Sequence, residues 1–273
     1  MRTVTSLAAG DGFAVRRVEI RSDTDRWWPP ETPPEYRVTL VRTGVFRARV
    51  PGRTLLADPA TAYAGRDELA IAHRPGSVDV CTAIDVSTPY LAALTGGAAP
   101  PPQFAVPGTL AVAHRLLTRR ARAGADPFEL AERVALLVGA LLTGSDGERP
   151  AGPDRPSART TRPRPTIPVV DAARELLNAD PAGLGLRELA ARAGCSPYHL
   201  SRAFRAGTGL TLTAYRNRIR VLHAIAALEA GHPDLSALAA DLGFADHAHL
   251  TRTVRRECGH TPSALRRLLR NDA

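Results

Sequence analysis

The sequence predicts an α+β chain of more than one domain, with an antiparallel β sandwich or jelly roll and a helical hairpin preceding an all-α domain. Three observations predict this. Residues 11–86 alternate with a period of two, residues 107–142 follow a helical period, and the C-terminal part contains an internal repeat. A segment rich in Pro, Gly, Ser, Thr and Arg lies between. The predicted domains are therefore 1–142 and 168–273, joined by a flexible linker, 143–167.

Length and composition exclude several classes of protein. The chain has 273 residues, of which 44% are hydrophobic and 23% charged, so it can bury a core. The sequence contains no apolar run of ~18 residues and no signal-peptide pattern at its start, which argues against a membrane or secreted protein. The three cysteines are far apart and lack paired spacing, which favours a reducing cytoplasm over a disulfide scaffold or zinc ribbon.

The charge balance points to an anionic partner. The chain has 36 basic and 27 acidic residues, a formal net charge of +9, and every basic residue is an arginine. Arginine binds phosphates and base edges through two hydrogen bonds at once. The complete lack of lysine is better explained by codon bias in a GC-rich genome, so the basic excess is the stronger argument for DNA.

The predicted strands and helices of the N-terminal part follow from periodicity. Tyr36, Val38 and Leu40 alternate with polar residues, and Pro51-Gly52 forms a plausible hairpin turn. Further along, the helical stripes are Leu110, His114, Leu117 and then Leu130, Val134, Leu137, Val138, Leu141. Asp126-Pro127 supplies the cap and first turn of the second helix. These helices either close the sheet or pack against a second copy of the chain.

The repeat in the C-terminal part has the pattern of two helix-turn-helix units. The motif His-Leu-Ser-Arg at 199–202 returns as His-Leu-Thr-Arg at 249–252, an offset of 50 residues. In the first unit Gly194 ends one helix and Ser196-Pro197 begins the next. Gly243 and Asp246 have the same roles in the second unit. A helix over 213–229, about 25 Å long, joins the units and would hold them about one DNA turn apart.

Residues 168–273 resemble the DNA-binding domain of the AraC/XylS family of bacterial transcriptional regulators. The most recognisable marks are Ala239-x-x-Leu242-Gly243-Phe244 and the run Gly259-His260-Thr261-Pro262-Ser263. The resemblance implies a regulator, and an activator by preference, that binds double-stranded DNA and RNA polymerase. It also implies a cupin-like N-terminal sensor domain of jelly-roll form, with helices that dimerise.

The resemblance implies which side chains contact DNA. The expected base contacts, on the outer faces of the second helices of both units, are Tyr198, Ser201, Arg202, Arg205, His247, Thr251, Arg252 and Arg255. The expected phosphate contacts are Ser196, Arg216, Arg220 and Arg256. The alternative for any single arginine is a solvated helix face or an internal ion pair. Because Arg202 and Arg252 recur in both units, a groove contact is favoured for these two.

The N-terminal part carries weaker signals of a ligand site. Tyr36, His73 and Cys81 are the candidates for a pocket that binds a small-molecule effector. Structural packing is the alternative, and the residue types alone favour it for His73 and Cys81. His73 is the only histidine before His114, so the histidine cluster of a metal-dependent cupin is not expected. No metal and no cofactor are predicted.

The function predicted from the sequence is a cytoplasmic, sequence-specific DNA-binding regulator that reads two successive major grooves, is dimeric and responds to an effector. The first alternative is a cupin-type enzyme with a DNA-targeting tail. The second is an architectural protein that binds DNA without reading its sequence. An effect of Arg202→Ala on base preference, rather than on affinity alone, separates the regulator from the architectural protein.

Overall fold

The computed structural model describes residues 1–143 and 166–270, and most of the predicted linker lies outside these ranges. The N-terminal part is antiparallel β structure with helices, and the C-terminal part is helical. The strands are β1 (Arg2–Gly10), β2 (Phe13–Ser22), β3 (Tyr36–Thr43), β4 (Phe46–Val50), β5 (Arg53–Ala57), β6 (Thr61–Gly65), β7 (Ala70–His73), β8 (Ser77–Val86) and β9 (Gln103–Ala105). The helices are α1 (Thr88–Thr95), α2 (Gly108–Arg122), α3 (Pro127–Thr143), α4 (Thr166–Ala179), α5 (Leu186–Arg192), α6 (Pro197–Thr208), α7 (Leu212–Glu229), α8 (Leu235–Asp241), α9 (His247–Cys258) and α10 (Pro262–Arg270).

The strands form two antiparallel sheets. The larger sheet has the order β1-β2-β8-β3-β6-β9, and the smaller has the order β5-β4-β7. The predicted turn at Pro51-Gly52 is confirmed, because Val50 pairs with Arg53 and Gly52 has a positive φ of 79°. Such a φ suits glycine, which has no Cβ to clash with the backbone.

Several elements were not predicted from the sequence, and helices α4 and α10 are two of them. Strand β1 begins at Arg2, whereas the alternating pattern was recognised only from residue 11. Most of β1 is exposed on both faces, so its side chains show no apolar alternation for a period to reveal. Helix α1 and the three-residue strand β9 were missed as well.

The larger sheet is covered on both faces. Side chains of one face, such as Val38, Leu40 and Ile84, join a buried cluster with α2 and α3. Side chains of the other face, such as Val18 and Cys81, pack against the smaller sheet. The two predicted helices therefore close the sheet, as one of the two alternatives proposed.

The N-terminal and C-terminal parts share a polar cluster around Asp58, which lies in the turn after β5 and is fully buried. Arg174 of α4 donates to Asp58 Oδ2 at 2.9 Å through Nε and to the carbonyl of Leu56 at 3.1 Å through Nη2. The hydroxyl of Tyr215, in the first turns of α7, donates to the same carboxylate. A buried charge is tolerated only when it is paired and hydrogen-bonded, so this cluster fixes α4 and α7 on the sheets.

A second polar cluster holds the opposite end of α7. Glu229 accepts from Arg42 Nη2 of β3 at 2.7 Å and from Arg115 Nη1 of α2 at 2.7 Å. Burial alone would raise the pKa of Glu229, but the two guanidinium groups lower it below its ordinary value. Helix α7 is thus attached to the N-terminal part near both of its ends.

Asp58→Ala should lower the free energy of unfolding by about 3–5 kcal/mol, because it leaves the buried guanidinium of Arg174 without its carboxylate. Denaturant unfolding followed by circular dichroism measures the change. The matched control is Arg47→Ala, which removes the exposed ion pair to Glu175 across the same boundary and should cost less than about 1 kcal/mol. Equal effects of the two substitutions would contradict the assignment.

Stability should fall as the pH is lowered from 7 towards 5, because of His114. Burial lowers the pKa of His114 well below its ordinary value, and the positive charges of Arg42 and Arg115 add a smaller effect in the same direction. Its Nε2 lies 2.7 Å from the Thr82 hydroxyl. Below the ordinary histidine pKa the unfolded chain binds a proton that the folded chain does not, so acid favours unfolding by up to about 1.4 kcal/mol per pH unit.

His114→Gln should reduce that slope when the free energy of unfolding is measured at several pH values. The substitution His260→Gln is the control, because it removes an exposed histidine and should leave the slope unchanged. A slope that is the same in His114→Gln and the unmodified protein would show that His114 is not the group responsible.

Candidate nucleic-acid interface

The first helix pair consists of α5 and α6. Leu189 and Ala190 of α5 are buried against Leu200 and Phe204 of α6. Between the helices Gly194 has a φ of 73°, which allows the sharp turn. The Ser196 hydroxyl accepts from the backbone N–H of His199 at 3.2 Å, so the predicted cap is confirmed.

The second helix pair, α8 and α9, repeats this arrangement. The Asp246 carboxylate accepts from the backbone N–H of His249 at 2.6 Å, as predicted for its cap. Gly243 has a φ of 69°, and a Cβ there would lie 2.8 Å from Cα of Ala182, in the segment before α5. Glycine at this position therefore serves both the turn and the close approach of the two helix pairs.

Helix α7 joins the two pairs. It spans 18 residues and is about 27 Å long at the standard rise. The Thr211 hydroxyl caps it by accepting from the backbone N–H of Ala214 at 3.1 Å. Its buried residues include Ile219, Val221 and Ile225, so it forms the centre of the C-terminal part.

The predicted base-contacting side chains lie on the outer faces of α6 and α9. All of them are exposed except Thr251, which is half-buried: Tyr198, Ser201, Arg202, Arg205, His247, Thr251, Arg252 and Arg255. The α6 and α9 surfaces each have a contact across one helical turn. Arg202 lies 5.6 Å from the centre of the Tyr198 ring, and Thr251 Oγ1 lies 3.5 Å from His247 Nε2.

One of these side chains has its proton engaged within its own helix. The Ser201 hydroxyl donates to the carbonyl of Pro197 at 2.9 Å. Its oxygen still has acceptor capacity, so Ser201 can accept from a base amino group while keeping this bond.

The predicted phosphate contacts divide into two groups. Ser196 and Arg256 are exposed, as expected. Arg216 is half-buried and donates to the carbonyl of Leu184. Arg220 is only 8% exposed, donates to the carbonyl of Pro181 at 2.9 Å and lies 5.6 Å from the centre of the Phe244 ring.

Arg220 lines an open cleft together with Arg216, although little of its side chain is exposed, so its contact with phosphate stays a prediction. Burial, together with the nearby charge of Arg216, lowers its pKa from the ordinary arginine value. Its guanidinium connects the segment before α5 with Phe244 of the second pair. Arg220 therefore serves the packing of the two helix pairs against each other.

An open cleft of about 1740 Å³, including its solvent-filled mouth, lies beside the exposed face of α6. The predicted DNA contacts Arg202, Arg205, Arg216 and Arg220 line it, together with three residues that the sequence analysis did not propose as DNA contacts: Thr213, Asn217 and His249. Thr213 and Asn217 lie one turn apart on α7, and their amide and hydroxyl groups can bind phosphate oxygens. The four-residue spacing was visible in the sequence, but nothing in it showed which face of α7 remains open.

A separate cavity lies between the two sheets of the N-terminal part. Two of the three residues predicted for an effector pocket, His73 and Cys81, line it, and so do Trp28, Phe46 and Tyr63. Tyr36 does not line this cavity. It belongs to the cluster on the opposite face of the larger sheet with Val38 and Leu40, so its inclusion in the predicted pocket is corrected.

The cavity has an unusual buried pair at its edge. His73 Nδ1 lies 2.6 Å from Asp79 Oδ2, and both side chains are fully buried. Burial raises the pKa of the Cys81 thiol, so this cysteine stays protonated and unreactive near neutral pH.

Among the described residues, no three His, Cys, Asp or Glu side chains form a group that fits a metal ion. No helix in the described ranges has the length and apolarity needed to cross a membrane.

Comparisons with known proteins agree with this geometry in the C-terminal part. Residues 189–268 match the family model described as a helix-turn-helix domain. The transcriptional activator RhaR of Salmonella dublin is 31% identical over 147 residues, which are 53% of this chain and 49% of that protein. This chain therefore matches about half the length of that relative.

Several solved structures are similar to this chain. ToxT of Vibrio cholerae O395 covers 96% of this chain and 100% of its own at 10% identity, with a TM-score of 0.37. The DNA-binding domain of AdpA in complex with a target DNA covers 39% of this chain and 98% of its own at 28% identity, with a TM-score of 0.35. An AraC-type regulator from Chromobacterium violaceum covers 40% and 97% at 22% identity, with a TM-score of 0.37.

Proposed function

We propose that the chain is a member of the AraC family through its C-terminal helix-turn-helix domain, and that it is a sequence-specific DNA-binding transcriptional regulator. One observation carries the proposal. The matching faces of α6 and α9 present Arg202 and Arg252 at equivalent positions, with exposed polar neighbours on both helices. Arginine forms two hydrogen bonds to guanine O6 and N7, each good pair worth about 1–3 kcal/mol of discrimination.

The finer architecture belongs to the same proposal. The two helix pairs act as two helix-turn-helix units of a domain over 168–273, preceded by a cupin-like jelly roll with its helices over 1–142. Helix α7 is about 27 Å long, and the helical repeat of DNA is ~34 Å. A strut of this length suits entry of α6 and α9 into successive major grooves on one face of the duplex. The net charge of +9 supports attraction to the duplex.

The remaining elements of the proposal concern partners and control. The protein acts as an activator, because the relative that it matches is named as an activator. Contact with RNA polymerase is part of the proposal because the family resemblance implies it. The cavity lined by His73 and Cys81 receives a small-molecule effector. We propose no catalytic activity, since the family comprises regulators, and we place the protein in the cytoplasm with its DNA.

The dimer contact is proposed to lie on α3. One face of α2 packs within the chain, where a Cβ on Gly108 would lie 2.8 Å from Sγ of Cys258. Helix α3, in contrast, exposes Phe128 by 81% and Leu136 by 66%. Two large apolar side chains on one outer helix face fit the self-complementary contact of a twofold dimer.

Arg202→Ala and Arg252→Ala should each erase one block of base preference. Selection of bound duplexes from random DNA should give, for the unmodified chain, two base-specific blocks about ten base pairs apart. Each substitution should make one block degenerate and weaken the selected site by about 5–150-fold.

The control is Arg74→Ala, which removes one exposed arginine from the N-terminal part and should leave both blocks intact. Uniform weakening on every duplex, with no change in preference, would instead identify an architectural protein that does not read sequence. A single block in the motif of the unmodified chain would rule out α9 as a reader.

Leu136→Glu should weaken self-association by at least about tenfold, because a twofold interface meets the buried charge twice. Sedimentation equilibrium of the full chain measures the dimer dissociation constant. Val78→Glu is the matched control, since Val78 is 40% exposed on a strand and lies outside α3. If both variants dimerise like the unmodified chain, α3 is not the interface.

A further inference from the structure

We propose that the cavity between the two sheets binds a neutral, mainly apolar molecule that consists of an aromatic ring bearing a hydroxyl group. This inference deepens the effector control proposed above and rests on it for its biological meaning. The chemistry of the site, however, is derived from the cavity itself and is tested by direct binding.

The walls of the cavity come from both sheets. Val18, Ile20 and Ala83 of the larger sheet face Phe46 and Ile71 of the smaller one. The empty space within the cavity and at its mouth is about 620 Å³. The apolar walls favour a ligand whose body is hydrocarbon.

Aromatic rings surround one end of the cavity. The ring centre of His73 lies 5.7 Å from that of Trp28, edge to face, and 5.1 Å from that of Phe46. Phe46 in turn meets Tyr63 edge to face at 6.1 Å. A flat aromatic guest extends such an arrangement, because ring edges and faces carry opposite partial charges.

The hydroxyl group is required by one nitrogen. Nδ1 of His73 lies 2.6 Å from Asp79 Oδ2, so this ring nitrogen has a partner. The other ring nitrogen, Nε2, is buried without a hydrogen-bond partner among the described residues.

The direction of this nitrogen follows from the lining. His73 lines the cavity whereas Asp79 does not, so the ring edge opposite Nδ1 faces the cavity. Buried polar atoms without partners are rare in folded proteins. A ligand hydroxyl satisfies Nε2 in either form of the ring, because a hydroxyl group can both donate and accept.

Charge excludes the competing classes of ligand. Arg37 donates to Asp85 at 2.6 Å, and Arg2 pairs with Glu31 at the mouth. Each arginine of the lining already has a carboxylate, so an anionic ligand would have to displace one. A sugar would leave several hydroxyl groups against apolar walls, where unpaired polar groups are unfavourable.

The cavity wall also carries the contact with the C-terminal part. Phe46 lines the cavity, and its neighbour Arg47 pairs with Glu175 of α4 at 2.9 Å. Strand β5, which pairs with β4, provides the Leu56 carbonyl for Arg174 and leads into Asp58. A ligand that shifts the smaller sheet therefore acts directly on the attachment of α4 and α7.

The test is isothermal titration calorimetry of the full chain with three probes of one shape: 4-ethylphenol, ethylbenzene and 4-ethylbenzoate. We expect 4-ethylphenol to bind about tenfold more tightly than ethylbenzene, the value of one net hydrogen bond, and 4-ethylbenzoate to bind most weakly. Trp28 should report binding by a change in its emission, since it lines the cavity.

Two variants locate the site. His73→Phe removes Nε2, and 4-ethylphenol and ethylbenzene should then bind with about equal affinity. Ile71→Phe narrows the cavity from a half-buried position and should weaken all binding, whereas Leu91→Phe, half-buried on α1, should not. If His73→Phe does not fold, the Ile71→Phe and Leu91→Phe pair still decides the location.

Several outcomes would overturn the proposal. They are equal affinities for 4-ethylphenol and ethylbenzene, tighter binding of 4-ethylbenzoate, absence of saturable heat with every probe, or binding that Ile71→Phe leaves unchanged. DNA binding is measured on the same samples without probe. A chain that binds its duplex but none of the probes disproves the ligand class alone, whereas a chain that binds the phenol but no duplex disproves the proposed regulator.

Discussion

The buried carboxylate of Asp58 is the constraint on which the arrangement of the whole molecule depends. It lies in a turn between two strands of the N-terminal part, yet its partners, Arg174 and Tyr215, come from α4 and α7. Neither the charge of Asp58 nor that of Arg174 is tolerable in the interior without the other. The β sheets and the helical part are therefore joined by an interaction that neither can satisfy alone.

This constraint extends to the two helix faces that carry the exposed arginines. Helix α7 is held by Tyr215 near its start and by Glu229 at its end, where Arg42 and Arg115 bind. Both helix pairs attach to α7. Their spacing therefore follows from how α7 packs on the N-terminal part, and a change in the smaller sheet reaches them through the contacts of Asp58.

Local features were predictable from the sequence, and contacts between distant residues were not. The caps at Ser196 and Asp246 and the turns at Gly194 and Gly243 depend on neighbours within a few positions, and the structure confirms them. The burial of Arg220 was not predictable, because its partners, Pro181 and Phe244, are far away in sequence. Basic residues on a helix face look alike until the packing of that face is known.

The cavity illustrates the same limit for strands. The alternation of side chains along β3 puts Tyr36 on the same face as Val38 and Leu40, whereas the cavity lies on the opposite face of the larger sheet. This alternation could have separated Tyr36 from Cys81. The alternation could not reveal that both faces of the larger sheet are covered, one by helices and one by the smaller sheet. A sheet buried on both faces loses the contrast between apolar and polar sides that identifies its core. Where the smaller sheet packs on such a sheet, a polar atom without a partner, such as Nε2 of His73 in β7, shows where packing is incomplete. A ligand can enter there.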